Sequence, residues 1–384
     1  MNFLRSFAKA SKSRINNRTP FLLVTSRSFS QLHSQSERPS FGIAFDIDGV
    51  VLRGSAPIGG SPLALKRLYH ECAGTLKIPF VFLTNGGGIR ESKRASELSM
   101  LLGINVLPSQ VIQGHSPFKR LVSRFENELV IAVGKGEPAA VMSDYGFKNV
   151  LSIDEYSSYF DNIDPLAQYK KWTSKEVENN TFKEMAPRND ASPQRVHAAF
   201  IVSDSVDWSR DIQVLCDVLR TGGLPGREIA HQPPLYFASD DLEYQALFPS
   251  ERLGMGAFRI ALESIFNRIH PNALEYTSFG KPNPSVYKNA ETVLMRLVTS
   301  LYPNLQVLNL ANGGDNIFKT LYMIGDNPSV DIKGARQAGH PWFSILTRTG
   351  VFKGKENHAE YPADLVVDTV QDAVNYILTK EHVS

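Results

Sequence analysis

The feature that most limits what this chain can fold into is a set of short apolar runs separated by helical stretches. Phe41-Gly42-Ile43-Ala44-Phe45 is continuously apolar, which suits a strand buried on both faces of a parallel sheet. Runs of the same kind recur at Ile78 to Leu83, Leu129 to Val133, His197 to Val202 and Leu321 to Ile324. Between them, Pro62 to Tyr69, Glu91 to Leu102, Asp211 to Leu219, Gly256 to Asn267 and Pro284 to Thr299 read as helices. Strands alternating with helices predict an α/β fold built on a doubly wound parallel sheet. No internal repeat or heptad array is visible. The polar stretch from Lys170 to Gln194 lacks apolar periodicity and predicts an irregular segment, and a further loop is expected through Ala311 to Asp315.

Bulk properties narrow the function. With 384 residues and 42% hydrophobic content, the chain can bury a large core in two domains or in one domain with a big insertion. Lys plus Arg number 41 against 39 Asp plus Glu, a formal +2, which is too balanced for binding nucleic acid or anionic lipid through bulk charge. Cys72 and Cys216 have no second thiol or histidine at metal spacing, so they read as free thiols rather than as a disulfide scaffold or zinc site. No uncharged apolar run approaches the length of about 18 residues that spans a bilayer.

Residues 1 to 36 contain Arg5, Lys9, Lys12, Arg14, Arg18 and Arg27, many serines and no Asp or Glu. That is the profile of a mitochondrial transit peptide, and Arg27-Ser28-Phe29-Ser30 resembles a matrix-processing site that would start the mature chain near Ser30. The competing reading is a disordered basic arm.

Chemistry concentrates where the first strand ends, at Asp46-Ile47-Asp48-Gly49-Val50. Ligands of open parallel sheets bind outside the carboxyl ends of the strands, and alternate residues there share a direction, so both carboxylates can reach one site. Two negative charges this close require a cation, and magnesium suits an oxygen-only site that also holds a phosphate. Alone, this string is also compatible with a turn of solvated acids or a calcium-loop fragment. Three further motifs follow in order. Phe80 to Leu83 runs into Thr84-Asn85-Gly86, where a hydroxyl, an amide and backbone N–H groups can take phosphate oxygens. Gly280-Lys281-Pro282 opens a helix and offers one ammonium to screen a nucleophile from a phosphate. Gly325-Asp326 to Asp331 has the GDxxxxD spacing that brings a second pair of carboxylates to the metal.

These four motifs resemble those of the haloacid dehalogenase superfamily. The segment between the second and third resembles the subclass IIA arrangement, in which an α/β cap is inserted there. Within that subclass the chain is most similar to the mitochondrial cat eye syndrome critical region type, through Tyr145 to Val150 and Gly325 to Pro328. The resemblance spans about residues 40 to 380 and implies a core from about 38 to 127 and 273 to 384, with a cap from about 128 to 272. It implies that Asp46 is the nucleophile and Asp48 the acid and base, that Thr84 and Lys281 hold the phosphate, and that Asp46, the Asp48 carbonyl, Asp326 and Asp331 bind or support magnesium. Asp240, Asp241 and Glu243 fall where relatives carry their substrate-facing loop, which makes Asp241 a candidate substrate contact beside Thr84, Asn85, Gly86 and Lys281.

The expected activity is hydrolysis of a small phosphorylated metabolite by a magnesium-dependent phosphatase in the mitochondrial matrix, with self-association left open. Phosphotransfer to another acceptor would use the same residues. The alternative from a different class is a non-catalytic regulatory or assembly protein that keeps the fold. A rival site is Gly134-Lys135-Gly136-Glu137-Pro138-Ala139, which imitates a dinucleotide fingerprint with Asp154 downstream. Pro138 removes a backbone donor from the turn that should cradle pyrophosphate, so a tight turn is the plainer reading. Gly86-Gly87-Gly88 lacks the spacing of a nucleotide loop, and the scattered His115, His197, His231, His270 and His340 do not suggest a metal site.

A reporter fused to residues 1 to 36 should enter mitochondria and be shortened near Ser30. Uniform cytosolic fluorescence without processing would remove the targeting assignment.

Overall fold

The computed structural model describes residues 39–71, 74–170, 194–302 and 318–383. The basic leader, Cys72, the interior of the segment expected to be irregular over 170–194 and the loop expected at 311–315 lie outside the described residues.

Two parallel sheets carry the structure. The first has six strands in the order Leu365–Val367, Trp342–Thr347, Thr320–Gly325, Phe41–Phe45, Phe80–Leu83 and Val111–Ile112. The chain runs outward from Phe41–Phe45 to one edge and later from Thr320–Gly325 to the other. The strand order therefore reverses between these two central neighbours, where ligand crevices form. Phe41–Phe45 is apolar throughout because both of its faces are covered. Ile43 and Phe45 meet Leu98, Val374 and Ile377 from the helices Glu91–Leu102 and Val370–Lys380, together with Phe80 and Phe82. Ala44 faces the other way, toward Leu294 and Val298 of the helix Pro284–Leu301.

The second sheet has five strands in the order Thr277–Ser278, Leu235–Phe237, Ala198–Ile201, Leu129–Val133 and Asn149–Ser152, again all parallel. Its core includes Val214 and Leu215 of the helix Trp208–Arg220, and Phe258, Leu262 and Phe266 of Met255–Ile269. Phe200 sits at its centre, with ring centroids 5.1 Å from Phe118, 5.3 Å from Phe147 and 5.0 Å from Tyr236. The strand Thr277–Ser278 lies past residue 272, the expected end of the insertion, because it pairs with Leu235–Phe237.

All five expected apolar runs form strands, and the expected helices form with shifted ends. Ser61–Lys66 stops short of Tyr69, which instead bridges to Leu76. Trp208–Arg220 starts before Asp211 because the Asp207 carboxylate accepts the Arg210 N–H as an N-cap. No helix among the described residues is long and apolar enough to cross a membrane.

Phe200→Ala should lower stability by about 3–5 kcal/mol, the cost of emptying a fully buried aromatic site. Urea unfolding followed by tryptophan fluorescence checks this, and a change below about 1 kcal/mol would show that Phe200 is not a keystone of that core.

Candidate active site

Three adjacent strands of the first sheet deliver polar residues to one crevice. Asp326 follows Thr320–Gly325, Asp46 follows Phe41–Phe45, and Thr84 follows Phe80–Leu83. Phe45 is in register with Ile324, and the Asp46 N–H donates to the Ile324 carbonyl at 2.9 Å, so the two aspartates emerge side by side. Asp331 lies in the single turn Pro328–Ile332, where its Oδ2 accepts the N–H groups of Asp326 (3.1 Å) and Asn327 (3.0 Å). The short separation of the two aspartates in sequence thus closes into a loop that holds the second carboxylate beneath the first.

Lys281 joins these parts. Its ammonium donates to Asp46 Oδ1 at 2.8 Å and to Asp331 Oδ1 at 2.7 Å, and the residue is only 2% exposed. Asn85 clamps its backbone: Oδ1 accepts the Lys281 N–H at 2.7 Å, and Nδ2 donates to the Lys281 carbonyl at 2.9 Å. The same Nδ2 donates to Asp241 Oδ1 at 2.7 Å. With both amide hydrogens used, the Asn85 side chain fastens the Thr84–Gly86 loop to Lys281 and Asp241. The Thr84 hydroxyl oxygen accepts the Gly86 N–H at 3.0 Å, so its hydrogen can turn to another acceptor.

Burial sets the electrostatics. It raises the Asp46 pKa to about 7, with Lys281 pulling it down and Asp331 and Asp48 pushing it up. Asp326 is raised well above the usual carboxylate range by burial and by the charges of Asp46 and Asp331. Burial also raises Asp48, against Arg94, Lys135 and Lys281, and brings Asp241 to about 7 against Lys281 and the Asn85 hydrogen bond. Burial opposes the Lys281 ammonium, yet Asp331 and Asp46 outweigh it and raise the lysine's pKa.

Asp46, Asp326 and Asp331 each offer a carboxylate oxygen within 4.8 Å of the others. Three carboxylates against one ammonium leave a formal charge of −2 in a site where no member is more than 8% exposed. A buried excess of that size, with oxygen donors only, fits a hard divalent cation such as magnesium.

Asp46, Asp48, Thr84, Asn85, Gly86, Asp241, Lys281, Asp326 and Asp331 all line this one cleft, whose volume including open solvent is about 640 Å³, whereas Asp240 pairs with Arg259. The rival fingerprint lies in the turn between Leu129–Val133 and a helix. Pro138 opens the short helix Pro138–Tyr145, and Asp154 pairs with Arg210 with its side chain 71% exposed. His115 is buried, with Nδ1 2.7 Å from the Tyr145 hydroxyl, and burial lowers its pKa to about 4. Lys135, which the sequence places in the rival fingerprint, lines the cleft together with Asp204 and Tyr244. Lys135 had a readable signal, since it follows an apolar strand at the end where parallel sheets bind ligands.

Comparison with known proteins agrees with this geometry. Residues 43–148 match the family described as haloacid dehalogenase-like hydrolase, and residues 278–373 match the related HAD-hydrolase-like family. A mitochondrial hydrolase of Saccharomyces cerevisiae is 31% identical over 360 residues, covering 90% of this chain and 97% of the yeast protein. Among solved structures, a possible sugar phosphatase of Cytophaga hutchinsonii superposes with a TM-score of 0.55 at 16% identity, covering 87% of this chain and 96% of that one. A glycerol phosphate phosphatase of Mycobacterium tuberculosis, crystallised with magnesium, does so with a TM-score of 0.50 at 16% identity, covering 86% and 75%. These two show a shared fold, whereas the yeast protein, matched over nearly its whole length, fixes the kinship: this chain belongs to the haloacid dehalogenase-like hydrolases.

Proposed function

We propose that this chain is a magnesium-dependent phosphomonoester hydrolase that works through a phosphoryl group carried on Asp46. The observation that supports this most is the placement of Lys281 between Asp46 and Asp331, with Asp326 alongside and Asp48 in the same cleft. A carboxylate held by an ammonium at the floor of a polar cleft is oriented for attack, and the surplus negative charge calls for the cation that phosphate chemistry also needs. Asp46, Asp326, Asp331 and the Asp48 carbonyl would hold magnesium, which when bound offsets the repulsion between phosphate and carboxylates.

The remaining steps belong to side chains. Asp46 attacks phosphorus, and the bond from phosphorus to the leaving oxygen breaks while Asp48 gives that oxygen its proton. Burial raises the Asp48 pKa, which suits a group that starts as the acid. Asp48 then takes a proton from water, whose oxygen attacks phosphorus and frees the Asp46 carboxylate. Lys281 and the Thr84 hydroxyl steady the phosphoryl oxygens, with Gly86 beside them, and Asp241 faces the substrate from the second sheet. We read that sheet and its helices, about residues 128 to 279, as a cap that excludes water and selects the leaving group. The basic leader and the mitochondrial relative support residence in mitochondria.

Asp46→Asn should reduce turnover to background while the protein remains folded. Asp48→Asn should slow turnover by about 10² to 10⁴ and let a phosphoprotein accumulate from a substrate with a good leaving group. Chelating magnesium should stop the parent enzyme. Mass spectrometry of acid-quenched protein should find one phosphoryl group on the peptide containing Asp46. Magnesium-dependent turnover that survives in well-folded Asp46→Asn would overturn the assignment.

A further inference from the structure

One wall of the cleft takes no part in these steps. It is formed by Lys135, Ser203 and Asp204, in segments that follow the neighbouring parallel strands Leu129–Val133 and Ala198–Ile201 at their carboxyl ends. The backbone there is fixed on several sides. The Lys135 N–H donates to the Asp204 carbonyl at 2.8 Å, the Ser203 hydroxyl donates to the Lys135 carbonyl at 2.7 Å, and the Glu137 N–H donates to the Gly88 carbonyl at 2.7 Å. Only glycine fits on either side of Lys135. A Cβ at Gly134 (φ +137°) would lie 2.3 Å from Ser203 Oγ, and one at Gly136 (φ +86°) would lie 2.4 Å from the Gly88 oxygen.

This rigid turn presents one side chain to the cleft. Lys135 Nζ lies 2.7 Å from Asp204 Oδ2 and 5.5 Å from the centre of the Tyr244 ring. The pair lines the same cleft as Asp48, the proposed acid that meets the leaving oxygen. As a plain surface ion pair it would stabilise the fold by about 0–1 kcal/mol, since the two side chains are 49% and 30% exposed. That is little return for a turn so tightly specified.

We propose that Lys135 and Asp204 form the subsite for the leaving group, and that this group is uncharged and hydroxyl-bearing, as in a polyol or sugar phosphate. The inference rests on the phosphatase reading and adds a substrate class to it. An ammonium beside a carboxylate offers a donor and an acceptor at adjacent points, the pattern that neighbouring hydroxyls satisfy. A carboxylate or second phosphate on the leaving group would find Lys135 already paired and would face Asp204, Asp241 and Glu243 on the same cleft. An apolar leaving group would strip water from the pair and return no hydrogen bonds. Tyr244 supplies a flat ring for the C–H edges of a polyol.

Three probes of similar size separate these cases: glycerol 3-phosphate, propyl phosphate and 3-phosphoglycerate. In the parent protein with magnesium, kcat/KM should fall about tenfold or more from the first to each of the others. Lys135→Met should bring the ratio of glycerol phosphate to propyl phosphate close to one, and Asp204→Asn should narrow the preference for glycerol phosphate over phosphoglycerate about tenfold. Calorimetric binding of the same probes to Asp46→Asn protein with magnesium distinguishes the two levels of the argument. Affinities in the expected order without turnover by the parent would sink the hydrolase reading and keep the subsite. Equal affinities for the three probes, or preferences unmoved by both substitutions, would remove the subsite whatever the turnover.

Discussion

The structure of this site depends on one buried ammonium. Lys281 contacts both Asp46 and Asp331, residues separated from it by 235 and 50 positions. Without it, three carboxylates would share a pocket almost closed to water, and their mutual repulsion would add to the cost of desolvating each one. A buried ion pair is not a reliable source of stability, because desolvation can match the attraction, but losing one partner leaves an uncompensated charge at a cost of about 3–5 kcal/mol. Lys281 is therefore better understood as what allows the acids to coexist. Because it neutralises only part of their charge, the fold retains an electrostatic deficit that a divalent cation suits.

The first sheet explains why such a cluster can be assembled at all. Its central strands are largely apolar on both faces, the acids follow at their ends, and the reversal of strand order opens a crevice just there. The second sheet repeats the arrangement. Lys135, Asp204, Ser239 and Asp241 all follow the carboxyl ends of its strands and line the same cleft. The cleft is thus bounded by the ligand-binding ends of two parallel sheets.

Much of this was legible in the residues themselves. Continuous apolar runs such as Phe41 to Phe45 and Leu129 to Val133 announce buried parallel strands, and the acids stand directly after them or at fixed spacing, so Asp46, Asp48, Asp326 and Asp331 could be read in order. Shorter strands escaped. Val111–Ile112 and Thr277–Ser278 are two residues each and carry no period, and Trp342–Thr347 is interrupted by Ser344, whose N–H and hydroxyl both donate to Asp364. The capping box at Thr369 and Asp372 marks the start of the helix Val370–Lys380. Lys135 and Asp204 form a pair only because their strands are neighbours, a fact of topology that no local pattern encodes.

Lys281 also ties the two sheets together. Phe279 belongs to the second sheet, its N–H donating to the Phe237 carbonyl at 2.9 Å, while Lys281 is bound through backbone and side chain to Asn85, Asp46 and Asp331 beside the first. Only Gly280 separates the two attachments. The charged floor and the second sheet are therefore tied together within three residues of one another.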